Sequence, residues 1–165
     1  MVAFGHTALG TTIGLYGSQV FSISEPLTGL ISTAGAGFIS HYIADLIPHG
    51  HLIKFKDYRK KLLAVIFFDV FLGLVLFLGL AYQKFDLSLN FLYILFGIGG
   101  SQLPDIIDGL IYTKFLPNTG LLKLENTFHS GTHWHGDKYK ALAWGKRDIW
   151  QVTVVIASLI FLLNA

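Results

Sequence analysis

Five hydrophobic segments, separated by turns rich in Gly, Pro, Asn and Ser, follow one another along the chain. Residues 62–82 form the clearest one, because 21 residues with a single charge, Asp69, match the roughly 20 residues that cross about 30 Å of hydrocarbon. The other four segments are residues 3–20, 27–47, 90–112 and 148–164. The pattern predicts an all-α, polytopic membrane helical bundle with about five transmembrane helices, in one integral membrane domain that covers residues 1–165.

The composition agrees with that prediction and limits which side chains could bind a metal. Hydrophobic residues make up 53% of the 165 residues and charged residues only 13%, whereas a soluble domain averages roughly 25% charged residues. Glycine is concentrated in the first 37 residues and around residue 100, which predicts close helix–helix approach. The chain contains no cysteine, so disulfides and thiolate ligands are excluded, and any metal must be bound by imidazole and carboxylate groups.

The basic residues give the orientation of the bundle. Eleven of the twelve Lys and Arg residues fall in two connections, residues 48–61 and 113–147. Because cytoplasmic loops carry an excess of Lys and Arg, both connections and the N-terminus are predicted to be cytoplasmic, in a multi-pass protein of the inner cell membrane. The basic run at 54–61 then attracts anionic membrane lipid, and no nucleic-acid partner is expected.

A faint internal repeat is consistent with this topology. A shift of 63 residues aligns four pairs of positions: His6 with Asp69, Gly10 with Gly73, Gly37 with Gly100, and Asp45 with Asp108. The alignment predicts two parallel helical hairpins related by an axis along the membrane normal. Chance coincidence is the alternative explanation.

On this topology the ionisable residues of the hydrophobic segments gather at one face of the membrane. They lie at or near the cytoplasmic segment ends, or in the connection that follows: His6, His41, Asp45, Asp69, Asp105, Asp108 and His129. Ionisable groups in hydrocarbon are costly and usually face one another, a cavity or a metal. We therefore expect these side chains to form one polar site, although Asp69 alone could instead be protonated and bonded to a neighbouring hydroxyl.

Spacing indicates which of these side chains can share a cation. His41 and Asp45 lie four residues apart, so on a helix both point to one face. Asp105 and Asp108 lie three residues apart, and two carboxylates on one turn repel each other unless a cation or a shared proton lies between them. The simpler alternative for this pair is an acidic first turn of a helix that begins at Pro104.

Further histidines lie in the two predicted cytoplasmic connections. They are His49 and His51 after the second segment, and His129, His133 and His135 after the fourth. His129 and His133 would share one face of a helix, which Gly131 disfavours. Each of these side chains could instead be a solvated loop residue. The predicted metal ligands are His6, His41, Asp45, Asp69, Asp105, Asp108, His129 and His133, with His49 and His133 as candidates for moving protons.

The donor types favour one class of metal. Mixed imidazole and carboxylate ligands suit zinc, with manganese or iron as alternatives, whereas calcium and magnesium prefer oxygen ligands alone. The candidate ligands exceed the needs of one ion, so a pair of ions is predicted. Two-metal sites activate water and stabilise a leaving oxygen, and they cleave phosphoesters and amides.

A resemblance to a known family rests on four motifs: GHTALG at 5–10, SHYIADLIPH at 40–49, SQLPDIID at 101–108 and FHSGTHWH at 128–135. The chain resembles the membrane-bound metal-dependent hydrolases of the YdjM-like inner-membrane family, and it is more distantly similar to zinc-dependent phospholipase C and P1 nuclease. The resemblance implies a helical metal site and a hydrolytic activity. It also implies a ligand set: His6, His41, Asp45, His49, Asp105, Asp108, His129 and His133. The chain departs from the family pattern at Ser130, where a second histidine is expected, and at Gly50 and His51, where an aromatic and an acidic residue are commoner.

Three functions are open from the sequence. The leading hypothesis is a membrane-embedded hydrolase that cleaves a phosphoester of a lipid or lipid-linked substrate at the cytoplasmic face by a metal-activated water. The second is a divalent-cation transporter, which would need ligands near the midplane and access from both sides. The third is a non-catalytic membrane protein in which a metal only holds helices together.

Overall fold

Six α-helices make up the part of the chain that the structure describes. The computed structural model describes residues 3–21, 25–47, 70–132 and 149–165. The helices are α1 (Ala3–Val20), α2 (Pro26–Asp45), α3 (Leu72–Phe85), α4 (Leu89–Tyr112), α5 (Gly120–Thr132) and α6 (Ile149–Asn164). The all-α prediction is confirmed for these ranges, which contain no strand.

The hydrophobic segments coincide with helices. The ends of α1, α4 and α6 lie within one residue of the segments 3–20, 90–112 and 148–164, and α2 ends two residues before the predicted limit. α3 covers the later part of the segment 62–82 and continues to Phe85. Residues 62–69, with Asp69, lie outside the described residues.

The sequence patterns did not predict α5, which occupies part of the polar connection 113–147. Its apolar residues are too few for a membrane span, and Gly131 was expected to disfavour a helix. Gly131 instead lies in the last turn of α5, where helix ends tolerate glycine. The helix brings His129 back towards the body of the bundle, where its ring is almost fully buried.

Pro104 lies within α4 rather than at the start of a helix. The helix begins much earlier, after Ser88, whose side chain accepts a hydrogen bond from the Phe91 N–H. Asp105 and Asp108 therefore lie near the C-terminal end of α4, and the alternative of an acidic first helical turn is wrong.

A frame of three helices is held together by direct backbone contact. α1 and α2 both pack against α4, and glycines lie at the crossing points. A Cβ atom on Gly97 would overlap the carbonyl oxygen of Gly10 on α1, and one on Gly100 would overlap the carbonyl oxygen of Ala34 on α2. Small residues of this kind let helix backbones approach closely, as the glycine distribution predicts.

The two shorter apolar helices, α3 and α6, pack against the outside of α1. Their contact with the frame is hydrophobic and includes Phe77 of α3 and Leu162 of α6, both fully buried. One polar contact joins α1 to α6, because the Thr12 hydroxyl donates to Ser158 Oγ at 2.8 Å. These helices complete the hydrophobic core around the frame.

The outer surface of the described bundle is strongly apolar. α4 is the one described helix that is both long and apolar enough to cross a membrane, while α3 and α6 are apolar but shorter. Large hydrophobic side chains on three helices, such as Ile39, Ile43, Val75 and Ile160, are more than half exposed. The count of five spans and their orientation stay predictions.

Candidate metal centre

Four helices bring histidine and carboxylate side chains to one end of the bundle. His6 lies in the second turn of α1, His41 and Asp45 lie in the last turns of α2, and His129 lies near the end of α5. The remaining members of the cluster, Asp105 and Asp108, are on α4. The chain directions explain the meeting, because α1 starts at the end of the bundle where α2 and α4 finish.

Asp45 is the centre of this cluster, and its side chain is fully buried. Its Oδ2 atom lies 3.1 Å from His41 Nε2 and 3.3 Å from His129 Nε2. Its Oδ1 atom lies 3.1 Å from His6 Nε2. The two carboxylate oxygens of one residue therefore face three imidazole rings that come from three different helices.

The donor atoms have the spacing of a metal coordination sphere. His41 Nε2 and His129 Nε2 are 2.9 Å apart, and Asp105 Oδ1 lies 3.8 Å from the first and 3.6 Å from the second. Asp45 Oδ2 is the fourth atom of this group. The five distances given for pairs of these four atoms all lie between 2.9 and 3.8 Å. Tetrahedral ligands about 2.0–2.1 Å from a zinc ion are about 3.3 Å apart, which is close to the spacing among His41 Nε2, His129 Nε2 and Asp45 Oδ2.

The hydrogen bonds made by the Nδ1 atoms of His41 and His129 determine which ring nitrogen of each residue faces the cluster. His41 Nδ1 lies 2.7 Å from the Ser101 carbonyl oxygen, which can only accept a hydrogen bond, so Nδ1 donates. His129 Nδ1 likewise donates to Asp108 Oδ2 at 2.8 Å. In the neutral rings both Nε2 lone pairs then point into the cluster. A carbonyl or carboxylate behind the ring is the arrangement of metal-ligating histidines.

Electron pairs converge in this arrangement, so a proton or a metal ion among them would relieve their repulsion. Two Nε2 lone pairs and a carboxylate oxygen within 3.3 Å of one another repel unless a proton or a metal ion lies between them. With protein groups alone, burial lowers the pKa of His129, but hydrogen bonds to Asp108 and Asp45 and the nearby charge of Asp105 outweigh burial and raise the pKa to about 10. The site therefore attracts a positive charge strongly.

His6 completes the buried side of the cluster. Its ring stacks on the ring of His41, with centroids 3.9 Å apart. The main chain at this position is also fixed, because the Ser101 hydroxyl donates to the His6 carbonyl oxygen at 2.8 Å. Ser101 thus positions both histidines, one through its carbonyl and the other through its hydroxyl. His6 Nδ1 is buried and has no hydrogen-bond partner among the described residues.

One side of the cluster is open. The side chains of His6, His41 and Asp45 are fully buried, whereas those of Asp105 and Asp108 are 35% and 28% exposed. The carboxylate of Asp108 accepts two hydrogen bonds, from His129 Nδ1 and from Asn126 Nδ2 at 2.6 Å. Solvent and small molecules therefore approach the cluster from the side of its α4 carboxylates.

The sequence reasoning missed a second polar pair beside this opening. The Tyr42 hydroxyl donates to Glu125 Oε1 at 2.8 Å, and Glu125 Oε2 is buried without a hydrogen-bond partner among the described residues. Burial raises the pKa of Glu125, with a further contribution from the charge of Asp108. Glu125 lies four residues before His129, the same spacing as His41 and Asp45, so the signal was present in the sequence. It was overlooked because the connection was not interpreted as a helix.

The six predicted ligands in the described ranges all come together, namely His6, His41, Asp45, Asp105, Asp108 and His129. Three overlapping sets of their donors, one of which adds Glu125, could hold a metal ion. Asp108 contacts the nitrogen of His129 that points away from the other donors, and it belongs to the set that adds Glu125. Asp69, His133, and the proton-transfer candidate His49 lie outside the described residues, as do His51 and His135.

Comparisons of the chain with protein-family models, with curated proteins and with solved structures returned no match. The resemblance to the YdjM-like family therefore stays a prediction. The functional conclusion depends on the geometry of the site.

Proposed function

We propose that this protein is an integral membrane hydrolase that uses a divalent metal ion, with zinc favoured, to cleave a phosphoester in a lipid or lipid-linked substrate. The observation that carries the proposal is the convergence of His41 Nε2, His129 Nε2 and Asp45 Oδ2 within 3.3 Å of one another. A divalent ion bound by these atoms would supply Lewis acidity and lower the pKa of a water molecule at neutral pH.

The openness of the site favours catalysis over a purely structural role. Structural zinc sites are closed by four protein ligands, whereas catalytic sites keep one position for water or substrate. Here the fourth donor, Asp105 Oδ1, is more distant from the two rings, at 3.6 and 3.8 Å, and its side chain is partly exposed. Among the described residues, buried groups form the opposite side, so the exposed α4 carboxylates mark the side from which substrate would approach.

Asp45 is suited to a site with a pair of ions. Its two oxygens face different donors, Oδ1 towards His6 and Oδ2 towards His41 and His129. A carboxylate that offers one oxygen to each of two ions is the usual bridge in two-metal hydrolases. His6 would then bind the second ion; with a single ion it donates a hydrogen bond to Asp45 and orients it.

Glu125 is the described residue best placed to move a proton. Tyr42 holds Oε1, and Oε2 is left to accept a proton from a water or to protonate a leaving oxygen. Burial raises the pKa of this carboxyl group above its usual value, a shift in the direction that suits a group that both accepts and donates protons. The sequence candidates for this role, His49 and His133, lie outside the described residues.

The position of the site supports a lipid or lipid-linked substrate. The donors lie at the ends of α1, α2 and α4, and α4 has the length and hydropathy of a membrane span. A site at the end of a span lies at the depth of lipid headgroups, where phosphoesters are concentrated. Apolar side chains at the end of α2, namely Ile43 and the capping residue Leu46, are exposed within one turn of Asp45.

Cation transport is the less favoured alternative. A transport path would have to continue from the buried side of the cluster between α1, α2 and α4. The backbones of these helices are in contact there, at Gly97 against Gly10 and at Gly100 against Ala34. A hydrated cation has no room at such contacts unless the helices separate.

The test is a metal and activity assay on the detergent-purified protein. Elemental analysis of protein prepared without chelators should find a stoichiometric transition metal, and Asp45→Asn should lose it. Phosphate or headgroup release from mixed phospholipid micelles should follow metal content across a zinc titration. Glu125→Gln should retain the metal and lose turnover, which separates proton transfer from metal binding.

Three results would overturn the proposal in distinguishable ways. If the wild-type protein, prepared without chelators, contains no metal, the proposed metal site does not exist. Bound metal with no turnover on any lipid phosphoester would favour a structural metal. Metal accumulation inside proteoliposomes, lost in Asp45→Asn, would identify the transporter.

A further inference from the structure

α5 has three distinct faces. With about 100° between successive residues, Glu125 and His129 project towards the cluster, while Lys123, Thr127 and Ser130 share a polar, exposed sector. A third sector contains only large apolar side chains: Leu121, Leu124 and Phe128, which are 83%, 67% and 60% exposed. The sector facing the bundle explains how α5 docks, whereas most of the surface of the apolar sector stays exposed.

The apolar sector is continuous with surface that already faces outwards on the bundle. Phe128 packs edge-on against Tyr42 of α2, with ring centroids 5.0 Å apart, and Tyr42 packs in the same way against Phe38 at 5.1 Å. Ile39 and Ile43, both exposed on α2, lie together on one side of this aromatic row, because each directly follows one of its α2 members in the helix. An aromatic row of this kind is typical of the region where acyl chains meet headgroups.

The position and charge of α5 agree with such a location. Seven residues separate the end of α4 from the start of α5, so a short connection ties this helix to the end of the apolar helix. Phe115, in that connection, is 83% exposed, and the basic residues Lys114 and Lys123 are also exposed. A helix of low overall hydrophobicity with one apolar face and basic residues beside it binds in the plane of an anionic membrane surface.

We propose that α5 is an interfacial helix whose apolar sector, Leu121, Leu124 and Phe128, inserts into the lipid monolayer beside the site. The occupant of this surface is membrane lipid, in particular acyl chains beneath anionic headgroups. Lipid then holds in place the helix that supplies His129, while hydrogen bonds from Tyr42 to Glu125 and from Asn126 to Asp108 hold its opposite side. The inference rests on the proposed membrane location and is independent of hydrolysis.

The test uses fluorescent labels at single cysteines, since the chain has none of its own. Leu124→Cys reports the apolar sector, and Ser130→Cys, about 120° away around the same helix, is the matched control. Phe96→Cys, exposed on α4, reports whether the bundle itself is inserted. Each labelled protein is reconstituted in phosphatidylcholine–phosphatidylglycerol vesicles and quenched with brominated lipid or with acrylamide from the water phase.

The expected result is that the label at Leu124 loses most of its emission to lipids brominated near the headgroup and little to acrylamide. The label at Ser130 should show the reverse. Acrylamide quenching of Leu124 equal to that of Ser130 would overturn the inference. Protection of Leu124 from both quenchers would also overturn it, because another protein segment or a second copy would then cover the sector. If the label at Phe96 escapes deep bromines, the membrane location itself is wrong.

Discussion

The hydrogen bond between Asp108 and His129 allows a sharp test of how the site binds metal. Asp108 accepts from two donors, His129 Nδ1 at 2.8 Å and Asn126 Nδ2 at 2.6 Å. Asp108→Asn leaves a single acceptor oxygen for these two donors. One of them must then face the amide NH2 group, so either Asn126 loses its partner or His129 loses the contact that directs Nε2 into the cluster.

The expected loss follows from the role of such orienting contacts. Removing a carboxylate behind a metal-ligating histidine costs about 10- to 100-fold in metal affinity, or about 1.4–2.7 kcal/mol. The exchanged pair, Asp108→Asn with Asn126→Asp, restores one donor and one acceptor to each of the two hydrogen bonds, because the new amide donates to residue 126 and accepts from His129. Because a neutral amide is a weaker acceptor than a carboxylate, the double variant should recover to within about tenfold of the wild type rather than completely.

The assay is competition for zinc against a chromophoric chelator, with the detergent-purified protein at fixed pH. Asp86→Asn, an exposed carboxylate at the end of α3, controls for the loss of one negative charge. Each single variant should bind more weakly than the wild type, and Asp86→Asn should not. Wild-type affinity in Asp108→Asn would refute the orienting role. An exchanged pair no better than Asp108→Asn would instead show that Asp108 acts through its charge or by direct ligation.

Three further predictions follow. Zinc uptake at pH 7 should release at least one proton, seen by calorimetry in buffers of different ionisation enthalpy, because the pKa of His129 is about 10 and the ion must displace that proton. Apparent affinity should therefore rise with pH, up to about tenfold per unit below pH 10, and a flat profile would contradict the reasoning. Gly97→Ala should lower the free energy of unfolding by about 1–3 kcal/mol through overlap with Gly10, whereas Gly99→Ala, with open space around it, should be neutral or slightly stabilising in thermal unfolding. Tyr42→Phe should leave metal content unchanged and shift the pH dependence of turnover, because it removes the hydrogen bond that lowers the pKa of Glu125.

Hydrophobic patterning located most helices because their apolar length and turn residues are local properties. The same reasoning failed for α5, whose apolar positions form a narrow sector among polar ones and whose Gly131 lies in the last turn. That failure also hid Glu125. A residue can be recognised as a partner of His129 at helical spacing only after the segment is recognised as a helix.

The composition of the cluster followed from spacing and topology, but its internal order did not. Nothing in the sequence distinguishes Asp105, whose Oδ1 faces the Nε2 atoms, from Asp108, which contacts Nδ1 from behind. The distinction depends on the rotation of α4 relative to α5. The contribution of Ser101 was equally hidden, because a main-chain carbonyl carries no residue-specific signal.

The glycine contacts between α1, α2 and α4 have a practical consequence. Since main chain meets main chain at Gly97 and Gly100, the separation of these helices is set without help from the outward-facing side chains. Exposed apolar residues such as Ile39 and Ile160 can therefore be replaced by polar residues without changing the distances between the three helices. A water-soluble redesign of this kind would let the buried histidines be titrated and spectroscopically observed without detergent.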